Sequence, residues 1–245
     1  MVVIAAPGLL LGAILALAVG CTALDRAGRS WWELSSAPSG QAPDPALTPE
    51  AVLQVYAART VGWRGLLAVH TWIAVKPAGA PGYTRYEVMG WGVSRGVPAV
   101  RVNRAGPDNR WFGAHPELLL DRRGPGVDEL IVRVEHAIRR YPFPSSYRTW
   151  PGPNSNTFTA YVGREVPELR LDLPPTAIGK DYLTNGSLAA ASPSGTGVQV
   201  SLWGLLGVTA GWEEGLEVNL LGLVVGVDPA PPAVKIPVVG RLGIR

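Results

Sequence analysis

The chain has 245 residues, 47% hydrophobic and 17% charged, which suits one sizeable domain or two small ones and excludes a disordered chain. Its 30 glycines and 23 prolines favour strands, turns and loops over a helical bundle. The formal net charge is +3, and Arg122-Arg123 and Arg139-Arg140 are short pairs rather than a basic stripe, so nucleic acid is not an expected partner.

Residues 2–24 carry no charged side chain. As a helix, some 23 residues would reach roughly 35 Å, enough to span a bilayer. A membrane anchor is the expectation; a cleaved signal peptide and a lipoprotein signal ending at Cys21 are the alternatives. Arg26 and Arg29 follow the segment and none precede it, which points the C-terminal side to the cytoplasm; the lipoprotein reading points it outward, so the side of the membrane stays open. Trp31-Trp32 fits an interfacial aromatic pair, or equally a pair of core tryptophans. Cys21 is the only cysteine, so there is no intrachain disulfide and no cysteine nucleophile in the folded part. Residues 25–48, rich in Pro, Ser, Gly and Ala, read as a linker. Residues 49–245 are expected to form a single α+β domain.

Within it, residues 52–59 are β-branched and aromatic and read as a strand. Residues 65–76 (GLLAVHTWIAVK) are the clearest strand, placing Ala68, His70, Trp72, Ala74 and Lys76 on one face. Residues 83–93 make a second strand with Tyr83, Arg85, Glu87 and Met89 on one face, and residues 97–102 a short third. After Gly124-Pro-Gly126, the apolar residues Leu130, Ile131, Val134, Ala137 and Ile138 recur at helical spacing. Asp128 and Glu129 open the run and Arg139-Arg140 close it, predicting a helix over 127–140. Asn154 is a candidate N-cap for a second helix over 155–164. Residues 168–196 read as loop. Residues 197–227 read as one β-hairpin about the turn at 212–215, its apolar runs suited to a buried sheet or to a sheet lying against a membrane.

The three histidines, His70, His115 and His136, lack ligand spacing, and neither a metal nor a cofactor is expected. Ser155 sits between two asparagines where turn chemistry opens into a helix. A serine needs an adjacent base, and amides at a helix start can stabilise an oxyanion. His70 on its strand would be a rigidly held base, and Glu87 on the next strand would orient its imidazole. Each has a plainer reading: Asn-Ser-Asn as ordinary turn material, His70 as a core histidine, Glu87 as a salt-bridged carboxylate. Asn154, Asn156, Trp72 and Lys180 are the expected substrate-side residues, Lys180 and Asp181 standing in a polar loop that would line a cleft or simply be solvated.

Three segments together, Ala68-Val-His-Thr-Trp-Ile-Ala-Val-Lys76, Trp150-Pro-Gly-Pro-Asn-Ser-Asn-Thr-Phe158 and Pro174-Pro-Thr-Ala-Ile-Gly-Lys-Asp-Tyr182, resemble the DUF3750 family of uncharacterised bacterial proteins from about residue 50 onward. More distantly, they resemble circularly permuted papain-like proteins, which include NlpC-type cell-wall hydrolases and relatives of lecithin–retinol acyltransferase. In that group a strand histidine precedes an Asn-Cys motif opening a helix. His70 and Asn154-Ser-Asn-Thr-Phe158 match those features, with Ser155 where the cysteine would stand. A Cys–His pair can hold a ready thiolate; a Ser–His pair must use general base catalysis or has lost catalysis and kept the pocket. The resemblance implies an antiparallel sheet packed on a few helices, possible permutation of a papain-like fold, and a bacterial-envelope location. It implies a hydrolase or acyltransferase acting on an amide or ester, with a lipid or cell-wall ligand. The alternatives are a degenerate, non-catalytic binding domain and a purely structural domain.

Overall fold

A computed structural model describes residues 34–243. The strands are β1 (Val52–Arg59), β2 (Val69–Lys76), β3 (Thr84–Val88), β4 (Val100–Asn103), β5 (Glu117–Arg123), β6 (Ala189–Ala191), β7 (Gly197–Leu202), β8 (Leu206–Gly211), β9 (Gly215–Leu220), β10 (Leu223–Pro229), β11 (Pro232–Ile236) and β12 (Gly240–Gly243). Among the described residues, two α-helices, α1 (Val127–Arg139) and α2 (Ser155–Glu165), lie between β5 and β6. The fold class is α+β.

The first sheet is antiparallel with order β4-β3-β2-β1-β5. Strands β1 and β2 are buried on both faces, which explains why they read as nearly continuous apolar runs. On one face Leu53, Val55, Ile73, Val75 and Val88 meet Leu130, Ile131 and Val134 of α1 and Phe158 and Val162 of α2. On the other face Val52, Tyr56, Trp72, Ala74 and Tyr83 form a smaller core with Ala114. Polypeptide from residues 38–48 and 104–116 covers it: the Trp72 indole donates to the Pro107 carbonyl (2.6 Å) and the Tyr83 hydroxyl to the Pro43 carbonyl (3.0 Å).

The second sheet is a seven-stranded meander, β12 to β6 in sequential order. The single antiparallel sheet expected of the domain is therefore corrected to two sheets, and the single hairpin over 197–227 to four strands of a meander. The missed turns lie inside apolar text. Trp203-Gly204 (φ 52° and 73°) and Leu221-Gly222 (φ 55° and 89°) turn the chain, and Leu220↔Leu223 pair directly across the latter. Two adjacent positive-φ residues are the backbone of a tight hairpin turn, a conformation that Trp and Leu adopt only when the flanking ladders enforce it. The strand expected over 83–93 ends at Val88, before Gly90 and the 3-10 turn Val93–Arg95. Strand β5, unforeseen, pairs with β1, and β6 lies inside the expected loop 168–196.

Among the described residues no helix is long and apolar enough to cross a membrane. The apolar segment 2–24, with Cys21, and the pair Trp31-Trp32 lie outside the described residues, as do the expectations placed on them.

Candidate active site

The Asn154-Ser-Asn-Thr turn begins α2. Asn154 is the N-cap, extended at φ −140°, and its Oδ1 accepts from the amides of Asn156 (2.9 Å) and Thr157 (3.1 Å). Thr157 Oγ1 reciprocates by accepting from the Asn154 amide (3.2 Å). This is a capping box with threonine in the place usual for Glu or Gln. The Asn154 Nδ2 donates to the carbonyls of Thr149 and Ile178, each at 3.0 Å.

Asn156 fixes the turn to β2. Its Nδ2 donates to the carbonyls of Val69 (3.0 Å) and Ile178 (2.8 Å), and its Oδ1 lies 3.1 Å from the Thr71 hydroxyl. Thr71 Oγ1 also reaches the Ser155 carbonyl (3.1 Å) and Thr159 Oγ1 (2.9 Å). Thr157 donates to the Gly179 carbonyl (2.8 Å), and the Val69 amide to the Thr176 carbonyl (3.0 Å). The three segments singled out in the sequence, far apart along the chain, thus meet at one place. Gly179 makes the close approach possible. At φ +99° a Cβ there would lie 2.4 Å from Asn154 Nδ2.

His70 stands on the other side of β2. Strand alternation sends Thr71 toward α2 and His70 to the face it shares with Trp72. There His70 Nε2 lies 2.9 Å from Glu87 Oε2, and the ring stacks on Trp111 with centroids 3.8 Å apart. Arg85 pairs with the same carboxylate oxygen at 2.8 Å while its guanidinium covers the Trp72 ring at 4.1 Å. Asn103 Nδ2 donates to Glu87 Oε1 at 2.9 Å. Burial pushes the Glu87 carboxyl up, but its bonds from His70 and Arg85 and the Arg85 charge outweigh this and hold it at about 2. Burial drives His70 below its ordinary 6.5 although Glu87 pulls the other way, so near neutral pH the imidazole is uncharged. Because Glu87 is ionised and accepts only, Nε2 carries the proton and Nδ1 the lone pair.

The structure therefore brings His70 and Glu87 together, as expected, and adds Arg85, Asn103 and Trp111. It does not join Ser155 to them by a hydrogen bond. The Ser155 hydroxyl has no hydrogen-bond partner among the described residues, although the residue is buried. The β2–β3 ladder begins only at Trp72↔Glu87, so His70 and Thr71 have no ladder partner on β3. The helix start offers less to an oxyanion than expected, since the cap consumes the Asn156 and Thr157 amides and leaves that of Ser155. Asn154 and Asn156 are corrected from substrate-side to positioning residues, their amide groups spent on the cap and on β2. Trp72 is fully buried, with its indole N–H on Pro107. Lys180 points away to the second sheet, where its ammonium donates to the Leu173 carbonyl (3.1 Å) and pairs with Glu217 (2.5 Å).

A cleft of about 430 Å³ opens beside this junction, lined by Val69 and Thr176 of the site segments and by Asp172, Asp228, Lys235 and Arg241 of the second sheet and its approach. Arg85 was legible as a neighbour of Glu87 by alternation. Trp111 was not, because nothing in residues 104–116 has a strand or helix period that would place it.

The family model described as "Protein of unknown function (DUF3750)" matches residues 50–182, over half of the chain and all three meeting segments. The chain belongs to this family. No curated protein and no solved structure matches the chain.

Proposed function

We propose that this DUF3750 protein is a membrane-tethered protein of the bacterial envelope whose Ser155–His70–Glu87 site transfers or hydrolyses acyl groups at an amide or ester. The observation that carries this is the setting of His70: Glu87 holds its Nε2 at 2.9 Å, burial lowers its hold on a second proton, and it stands one residue from Thr71, whose hydroxyl holds the Ser155 backbone. In the reaction, Ser155 Oγ attacks the acyl carbon as His70 Nδ1 takes its proton. The oxyanion forms by the Ser155 amide at the positive end of α2. His70 then returns the proton to the leaving amine or alcohol. Water, or an acceptor alcohol, releases the acyl group by the reverse sequence. Catalytic hydrogen bonds are often long before substrate binds, and no β2–β3 ladder bond holds His70 and Thr71. The uncharged N-terminal segment favours a lipid or cell-wall substrate.

A second reading is a degenerate papain-like domain that binds an envelope ligand without catalysis. The missing Ser155–His70 hydrogen bond and the placement of His70 on the face of β2 opposite Thr71 favour it. Reaction of the full chain with an alkyl fluorophosphonate separates the two. The catalytic reading expects an adduct on Ser155, absent in Ser155→Ala and slowed about 100-fold or more in His70→Gln, the scale of a lost general base. Because the base form of His70 is required, labelling should hold through neutral pH and fall only as pH drops below 6.5 through the lowered His70 value. No adduct, or one that ignores His70, leaves the binding domain.

A further inference from the structure

The second sheet is patterned the wrong way round for a sheet facing water. Its inward positions are mostly polar: Gln199, Ser201, Thr209, Glu217, Asn219, Asp228 and Lys235 are all buried, with Val224 and Ala233 the apolar exceptions. Its outward positions are apolar without exception along β7 to β10. The registers align them in rows across the strands. Leu202, Leu206, Leu220 and Leu223 form one row, and Val200, Val208, Val218 and Val225 the next. Val198, Ala210, Leu216 and Val227 form a third, which Val234 of β11 extends. Half of each central side chain is open, Val218 at 49% and Val225 at 55%. Five strands about 4.8 Å apart and three rows about 7 Å apart give a face of roughly 300 Å² in plan before the tips are added. That is on the scale of the largest apolar patch a monomer usually exposes, a patch that often marks an interaction site.

Tryptophans mark both ends of these strands. Trp203, 61% exposed, stands at the β7–β8 turn, and at the same end Trp150 donates its indole N–H to the Leu221 carbonyl (3.0 Å). Trp212, 69% exposed, stands at the opposite, β8–β9 turn. Tryptophan favours the boundary between apolar and aqueous media.

We infer that this face lies on a lipid bilayer. A specific protein partner is a poorer fit. Protein interfaces carry a hydrogen bond for every 100–200 Å² or so, and these rows of Val and Leu offer no side-chain donor or acceptor to fix a register. A fluid apolar medium needs none. The alternation matches that of lipid-facing β-structure, but strands of four to seven residues among β7–β12 are shorter than the nine to eleven or so needed to cross a bilayer. The sheet therefore rests on the membrane surface. The same chain supplies an uncharged stretch at residues 2–24, ten residues before the described structure begins. If that stretch enters the bilayer, it holds the sheet at high effective concentration beside it, so the face needs only modest affinity of its own.

The test is photocrosslinking of the full chain in phosphatidylcholine–phosphatidylglycerol vesicles, with p-benzoylphenylalanine replacing Val218 or Val225 in separate proteins. Val132 on α1, also exposed at 61%, is the water-facing control, and the same replacement at Leu15 reports the N-terminal stretch. Phospholipid adducts at Val218 and Val225 and none at Val132 are expected. A crosslinked dimer from Val218 and Val225 would show a second copy seated on the face and overturn the inference. Adducts at Leu15 alone would leave the membrane tether standing and overturn the docking of the sheet.

Discussion

Gly179 is the residue on which the site's geometry turns most directly. Its φ of +99° and the 2.4 Å that would separate a Cβ from Asn154 admit no side chain without displacing the α2 cap. Gly179→Ala should lower stability by about 1–3 kcal/mol, from backbone strain and the disturbed cap together, read as a shift in urea midpoint. An unchanged midpoint would mean that the loop at 176–182 moves freely of Asn154. At this scale the sequence was informative but incomplete. The N-cap role of Asn154 and the shared face of Arg85 and Glu87 follow from local rules. What the two asparagines bond to does not, because their partners, Val69 and Ile178, are remote in sequence and their amides compete between substrate and backbone on equal chemical terms.

Among the elements, strands β1 to β3 and both helices follow from apolar patterning, since α1 and α2 pack their apolar residues against a sheet whose central strands are buried on both faces. The second sheet does not, because its alternation is inverted and its turns use Trp203 and Leu221 in place of the usual Asn-Gly signals. Its inward charges form a network. Lys235, wholly buried, donates to Asp172 (3.0 Å), Glu217 (2.8 Å) and the Glu214 carbonyl (2.9 Å). Burial pushes the Asp172 carboxyl up to about 6 against the pull of Lys235. The paired ammonium groups outweigh burial at Glu217 and keep its carboxyl below the usual range. Removing one member of a buried ion network strands the others. Lys235→Met should therefore cost about 3–5 kcal/mol in denaturant unfolding. A loss below about 1 kcal/mol would show the network to be as weak as a surface pair.

Across the whole molecule, the two sheets serve different media. The first, covered on both faces, fixes the site where β2, α2 and the loop at 176–182 converge. The second covers a charged interior and turns Val, Leu and Trp outward. Sequence reasoning could find the three site segments but not their meeting, which depends on bonds such as Val69–Thr176 and Thr157–Gly179 that no local pattern encodes. The functional proposal depends above all on a neutral His70 whose Nε2–H is given to Glu87. Nitrogen-15 NMR of the histidine side chains, with His70→Gln to assign the resonance, reads both charge and tautomer. The account predicts a neutral ring at pH 7, protonated at Nε2, that gains its second proton only below pH 6.5. A doubly protonated ring at pH 7, or the Nδ1–H tautomer, would leave Nδ1 without a lone pair to take a proton and contradict it.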